Sequence, residues 1–358
     1  MQTLFNFTVS VSDAFGKRCT LLRGLSVCIT GLALAISFVL PAEAGKAKAG
    51  YDYYLTGNAA DVQPTRPTTQ TAVLMGGGTD VDAAFQWMIQ KSGGGNFVVI
   101  RATGADGYNP YIYAMGGLTS VETLVIKTRE AAADPFVLDR VSKADALFIA
   151  GGDQADYIRL WKGTPLATAL GTLMSSKVPV GGTSAGLAVL GQFDFPALSG
   201  SVTSAQALAN PYNRYMTLDQ GFVTVPGLAN TITDSHFGER DRMGRLLTFI
   251  ARIVKDGWAT ADQVRGIGVD SETALLMENG VVSRVGVGSA YFISPTTNPV
   301  ICTAKQPLTF RNVMVQRLSG SGSFNLNSWT GSTGAVTGYD ISAEAGVLTS
   351  SQLGGSTY

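Results

Sequence analysis

Val178-Pro179-Val180-Gly181-Gly182-Thr183-Ser184-Ala185-Gly186 runs directly into the apolar stretch 187–190. A short β-branched run, a knot of glycines around one hydroxyl and an apolar continuation read as strand, tight turn and helix. Gly182-x-Ser184-x-Gly186 has the spacing of a nucleophile elbow, where small neighbours let a strained turn present a serine. The same five residues also suit a plain glycine-rich turn. What favours the elbow is its place after a buried strand and before a helical stretch. A helix N-terminus behind Ser184 would favour developing negative charge.

The alternation extends outward from there. Residues 71–75 are a short apolar run ending in Gly76-Gly77-Gly78, and Thr79 with Asp82 has the spacing of a capping box. Val81, Ala84, Phe85, Met88 and Ile89 follow at helical spacing. Residues 97–100, 123–126 and 146–149 are further buried-strand candidates, with helical stretches near 130–143, 154–162 and 166–176. The order predicts an α/β fold: a three-layer α/β/α sandwich around a mostly parallel sheet. That catalytic domain spans 71–300, after a polar linker over 45–70. Residues 317–358 carry only Arg317, Asp340 and Glu344 as charged side chains. The segment 301–358 therefore reads as a small β-rich or irregular C-terminal extension.

The chain has 358 residues, enough for a substantial core, with 26 Lys+Arg against 26 Asp+Glu. No basic excess exists to neutralise phosphates, so no nucleic-acid partner is expected. With 45% hydrophobic and 15% charged residues, it is not a disordered chain. A single histidine, His236, excludes multi-histidine metal sites, and no metal is expected. Gly76-Gly77-Gly78 lacks the G-x-G-x-x-G spacing, so no dinucleotide cofactor is expected either.

Residues 1–44 read as a cleavable signal peptide. Lys17, Arg18 and Arg23 precede an uncharged apolar run over 25–40, and Ala42-Glu43-Ala44 follows as an A-x-A site. The run is short for a span, so no stable membrane anchor is expected after cleavage at Ala44. Removal takes three basic and two acidic residues, leaving 23 against 24, a net charge of −1. It also leaves Cys302 as the only cysteine, so the exported form has no internal disulfide. The expected location is secreted or periplasmic. A homodimer is neither specified nor excluded.

A serine nucleophile needs a base, and His236 is the only histidine available. It lies in Thr231-Ile232-Thr233-Asp234-Ser235-His236-Phe237, where a strand-like run gives way to a helix. A lone hydrogen-bonded structural histidine is the bland alternative. The serine elbow in the same chain favours catalysis. Arg240, Arg242 and Arg245 follow around the apolar stripe of Met243, Leu246, Leu247, Ile250, Ile253 and Val254. Arg240 shares the side of His236, whereas Arg245 projects nearly opposite, where Asp241 could pair with it. Such guanidiniums suit carboxylate recognition.

The third member of a triad is sought in Gly266-Ile267-Gly268-Val269-Asp270-Ser271-Glu272-Thr273-Ala274. Read as one strand, it turns Asp270 and Glu272 to one side and Ser271 to the other. Glu272 is the first candidate and Asp270 the alternative. Ala150-Gly151-Gly152-Asp153-Gln154, after the strand at 146–149, exposes backbone N–H groups suited to an oxyanion hole.

With 148–154, 181–186 and 234–246 taken in order, the chain resembles the cyanophycinases, serine peptidases with a class I glutamine-amidotransferase-like fold. The resemblance runs over about 71–300 and is greatest to the extracellular branch. It implies degradation of cyanophycin, a polyaspartate bearing arginines on its side-chain carboxylates, into β-aspartyl-arginine dipeptides. Ser184 would then be the nucleophile and His236 the base, with Gly152 and Ala185 at the oxyanion. Gln154, Asp234, Arg240, Arg242 and Arg245 match positions that surround substrate in that family. Two positions depart: relatives often have Gln where this chain has Ser235, and tend to have the triad glutamate where it has Ser271. The runner-up functions are a dipeptidase for short Asp-containing peptides and a non-catalytic exported binding protein.

Overall fold

The computed structural model describes residues 50–60, 64, 69–332 and 334–358. The signal-peptide reading of 1–44 and part of the 45–70 stretch lie outside them. The strands, in chain order, are β1 (Tyr51–Gly57), β2 (Thr71–Met75), β3 (Asn96–Arg101), β4 (Ser120–Ile126), β5 (Ala146–Ile149) and β6 (Val180–Thr183). Next come β7 (Phe193–Asp194), β8 (Asp219–Gln220), β9 (Thr231–Asp234), β10 (Arg265–Val269), β11 (Thr273–Glu278) and β12 (Val281–Gly286). The last are β13 (Ala290–Ser294), β14 (Phe310–Leu318), β15 (Ser323–Asn325), β16 (Thr330–Gly331), β17 (Val336–Glu344) and β18 (Val347–Ser350).

The first sheet has the order β1-β4-β3-β5-β6-β2-β11-β12-β15-β16. Its centre, from β4 to β2, is parallel. Helices cover both of its faces. In β3, Val98 and Ile100 point into one apolar layer while Phe97 and Val99 point into the other. A buried parallel strand needs side chains of this kind on both sides. Helices Pro135–Ser142 and Pro165–Ser175 supply Val137, Leu166 and Leu170 to the first layer. Helix Asp82–Ser92 supplies Phe85 and Met88 to the second. Each such side chain, fully buried, contributes about 2 kcal/mol.

The second sheet has the order β18-β17-β14-β13-β10-β9-β7-β8 and is mostly antiparallel. Ile267 and Phe292 face the first core, while Tyr291 and Ile293 face a separate cluster with helix Met243–Lys255. That helix buries Met243, Leu246, Leu247, Ile250 and Ile253 as expected, and Phe249 besides, while Val254 in the last turn is only half-buried.

Three local expectations change. Tyr51–Gly57, inside the stretch read as linker, is a strand paired antiparallel with β4. Its tyrosines make it β-prone: Tyr51 and Tyr53 pack on Phe136, and the Tyr53 hydroxyl donates to Glu122 at 3.0 Å. Thr79 is not a helix cap. The cap position is Val81, and the Thr79 hydroxyl reaches Glu272 at 3.3 Å instead. Residues 266–274 are not one strand but two, β10 in the second sheet and β11 in the first, joined by a turn. The segment after residue 300 is strand-rich as expected, and it supplies strands to both sheets: β14, β17 and β18 to one, β15 and β16 to the other.

Candidate active site

Ser184 stands at the carboxyl end of β6 with φ of +52°, a left-handed conformation that non-glycine residues adopt only where the surroundings hold it. The surrounding glycines make the turn possible. A Cβ on Gly182 would come 2.6 Å from the Gly186 carbonyl carbon, and one on Gly186 would come 2.0 Å from the Ile149 oxygen. The helix expected behind the serine is only a 3-10 turn, Leu187–Val189. Residues 187–190 are buried, and a Cβ on Gly191 would meet the Thr231 oxygen at 2.5 Å, so the chain turns at once into β7. Support for negative charge must come from the turn's own N–H groups, not from a long helix.

His236 stands just beyond β9, also left-handed at φ of +44°. Its Nε2 is 3.0 Å from the Ser184 Oγ. A strand of each sheet thus contributes one partner, and the site lies where the sheets meet. The Gly76-Gly77-Gly78 loop, set aside above for want of a dinucleotide spacing, holds this seam together. Gly76 accepts from the His236 N–H at 2.8 Å, Gly77 accepts from the Glu272 N–H at 2.8 Å, and Met75 accepts from the Ser184 N–H at 3.1 Å. Gly77 has φ of +95°, and a Cβ there would lie 2.4 Å from His236 Nε2. Only glycine lets this backbone approach the imidazole.

Neither acidic candidate touches the imidazole. Nδ1 of His236 lies 2.9 Å from the hydroxyl of Ser271. That hydroxyl donates in turn to Glu239, whose carboxylate is 3.7 Å from Nδ1. Asp270 instead accepts from the Gly238 N–H and the Ser289 N–H, each at 2.8 Å, pinning the loop after His236 to the turn before β11. Glu272 meets Thr79. The reason is the strand break: β10 ends at Val269 and Glu272 is left-handed at φ of +54°, so strict alternation fails and Ser271 turns inward. Glu239 escaped sequence reading because it sits among three arginines in a turn. Its signal was a carboxylate three residues after the only histidine.

Burial, reinforced by the Arg240 and Arg242 guanidiniums, holds the imidazole below its ordinary value, while Glu239 works the other way. The ring is therefore neutral near pH 7 and can accept a proton. The Ser271 hydroxyl holds the Glu239 carboxyl below its ordinary range.

The three arginines separate. Arg245 is buried, with Nε 2.7 Å and Nη2 2.5 Å from the two oxygens of buried Asp234, and its Nη1 reaches Ser201 and Val202. The structure pairs it with Asp234, not Asp241, which accepts from the Tyr358 hydroxyl. Asp234 and Arg245 are thus buried and bonded to each other, anchoring the segment that carries His236. Arg242 bridges: one nitrogen meets Asp234 at 3.2 Å and the Ser235 oxygen at 2.7 Å, and burial lowers its guanidinium to about 10. Arg240 is exposed, and its side chain has no hydrogen-bond partner among the described residues. Its backbone N–H closes a turn on the His236 oxygen at 3.1 Å. Arg240 and Arg242 line a cleft of about 260 Å³ with Gly152, Asp153, Gln154, Ala197, Gly200 and Ser201. Gln154 reaches the Phe195 oxygen at 3.3 Å.

The turn after β5 flanks the serine: a Cβ on Gly151 would lie 3.5 Å from the Ser184 Cβ. Among the described residues the N–H groups of Gly152 and Ala185 take no hydrogen bond within the fold. Free donors beside a nucleophile suit an oxyanion.

A strained serine at a strand end, hydrogen-bonded to a neutral imidazole and flanked by free amides, is the apparatus of serine-dependent acyl transfer. The model of peptidase family S51 matches residues 110–285. That span contains Ser184, His236, Glu239 and Ser271, and leaves out the Gly76-Gly77-Gly78 loop. The chain is similar to a cyanophycinase of Synechococcus elongatus, 29% identical over 218 residues, covering 59% of this chain and 62% of that protein. It is similar to a cyanophycinase of Trichormus variabilis, 29% identical over 221 residues, covering 60% of this chain and 68% of that protein. The chain therefore spans about three fifths of the length of the first of these. A solved peptidase from an acI-B1 Actinobacterium aligns over 72% of this chain and 97% of its own, with 17% identity and a TM-score of 0.48. The family match and the curated relatives support a serine-type peptidase.

Proposed function

We propose that the chain is an exported serine exopeptidase that hydrolyses cyanophycin to β-aspartyl-arginine dipeptides. The observation that carries this reading is the 3.0 Å contact between Ser184 Oγ and His236 Nε2, beside a cleft holding the exposed Arg240 guanidinium, unpaired among the described residues. Ser184 attacks a backbone carbonyl between aspartates while its proton passes to Nε2. The oxyanion is met by the Gly152 and Ala185 N–H groups. The imidazolium protonates the leaving amine, and an ester on Ser184 remains. Water, deprotonated by His236, then cleaves the ester and restores the hydroxyl.

Each branch of the polymer ends in both a carboxylate and a guanidinium. Arg240, with Arg242 behind it, suits the former, and the exposed Asp153 carboxylate suits the latter. Asp234 and Arg245 act by holding the His236 segment, not by touching substrate. Export rests on the basic, apolar and A-x-A pattern of residues 1–44. Protein recovered after export should begin at Gly45.

The test is incubation of purified mature protein with cyanophycin and identification of products by mass. Release of β-aspartyl-arginine that disappears in Ser184→Ala supports the proposal. No release by the wild type overturns the substrate, and undiminished release by Ser184→Ala overturns the nucleophile. Turnover of short Asp-containing peptides in preference to polymer would instead favour a dipeptidase.

A further inference from the structure

We infer that the acid function behind His236 is divided between two residues, with Ser271 as a bridging hydroxyl and Glu239 as the carboxylate that orients it. The inference deepens the Ser184–His236 reading above and is independent of which peptide is cleaved. Both are positioning residues, since they act through the imidazole.

The protons along one line of hydrogen bonds fix the tautomer of the imidazole. For Nε2 to accept from Ser184, the imidazole must carry its proton on Nδ1. Nδ1 faces a hydroxyl at 2.9 Å, not a carboxylate. A hydroxyl is ambivalent: it can accept from Nδ1–H, or donate to a bare Nδ1 and so favour the wrong tautomer. Glu239 resolves the ambiguity. An ionised carboxylate only accepts, so it claims the single Ser271 proton and leaves the Ser271 lone pairs for Nδ1–H. At 3.7 Å from Nδ1 it is too far to do this directly. The line runs Ser184 O–H to Nε2, Nδ1–H to Ser271, Ser271 O–H to Glu239, with every proton used once.

The other groups near the ring do not compete for this role. Arg240 and Arg242 lie on its own segment and disfavour the imidazolium. The Gly76-Gly77-Gly78 loop brings backbone only. From the turn before β11, Asp270 is engaged with Gly238 and Ser289, and Glu272 with Thr79. Glu239 is also 60% exposed, unlike a buried triad acid, so its field at the ring is screened by solvent.

The presence of one histidine makes the test direct: ¹⁵N NMR of the tag-free protein reports one imidazole, its tautomer and its titration. In the wild type the Nδ1–H form should dominate. In Glu239→Gln the amide can donate to Ser271, which frees the Ser271 proton to point at Nδ1. The tautomer should shift toward Nε2–H and the ring should titrate at lower pH, because the one group favouring its charge is gone. Labelling of Ser184 by a fluorophosphonate, which needs an activated serine but no particular peptide, should slow by about 100-fold in Glu239→Gln and in Ser271→Ala. The double variant Glu239→Gln/Ser271→Glu, which puts a carboxylate directly against Nδ1, should recover to within about 10-fold of wild type. Wild-type tautomer, titration and labelling rate in Glu239→Gln would overturn the inference, as would a double variant no faster than the single. Both outcomes are read without cyanophycin, so failure of the polymer assay leaves this result standing.

Discussion

Arg245 clamps Asp234 bidentately, Nε to Oδ2 at 2.7 Å and Nη2 to Oδ1 at 2.5 Å, two residues before the histidine. Both side chains are 3% exposed, and the guanidinium also lies over the rings of Phe195 and Phe249. This pair ties the start of helix Met243–Lys255 to the end of β9, and so sets where His236 leaves the sheet.

Asp234→Ala strands a buried guanidinium. It should lower stability by about 3–5 kcal/mol, because breaking one side of a buried pair leaves an uncompensated charge. Thermal or urea unfolding measures this. The double variant Asp234→Leu/Arg245→Met should regain most of the loss, since apolar side chains often replace a buried pair at little cost.

Arg240→Ala should behave in the opposite way. The side chain is exposed and bonded to nothing among the described residues, so unfolding should change by less than about 0.5 kcal/mol. The KM for the polymer should rise about 10-fold, the loss of one charge-assisted contact. An unchanged KM would remove Arg240 from substrate recognition.

Gly77→Ala tests the closest approach in the site. The new methyl would lie 2.4 Å from Nε2, at a φ of +95° that disfavours any side chain. Hydrolysis should fall by more than about 100-fold, since ångström-scale misplacement of a reacting group costs that much. Titration of the single imidazole should show that the ring has moved.

Asp194 offers a test of pH dependence away from the site. It is fully buried in β7, neither of its oxygens has a hydrogen-bond partner among the described residues, and burial reinforced by Asp219 lifts its carboxyl well above the ordinary value of 3.8. The folded state keeps the proton that the unfolded chain releases. Wild-type stability therefore falls as pH rises above the unfolded value, by up to about 1.4 kcal/mol per pH unit. Asp194→Asn has no proton to lose, so it should be more thermostable than wild type at pH 8, with the gap closing toward pH 4.

Much of the local structure was legible in the chain. Strands at 97–100, 123–126 and 146–149 were visible because a buried parallel strand must be apolar on both faces, as Phe97, Val98, Val99 and Ile100 are. The strand leading into Ser184 was visible because the elbow is a local device, built from neighbours two residues away. The strand Tyr51–Gly57 was missed because an edge strand needs only one good face and one partner. The break between β10 and β11 was missed because nothing in Val269-Asp270-Ser271-Glu272 says that the chain changes sheets there.

By itself, then, the sequence determined the α/β order, the serine on its glycine turn and the lone base, since these follow from periodicity, sterics and residue count. Only the tertiary structure decided which groups serve the base. Asp234 went to Arg245, Asp270 to two backbone amides and Glu272 to Thr79, while Ser271 and Glu239 met at Nδ1. Side-chain direction at a sheet seam depends on how two sheets meet, and that is set by cores built from residues far apart in the chain.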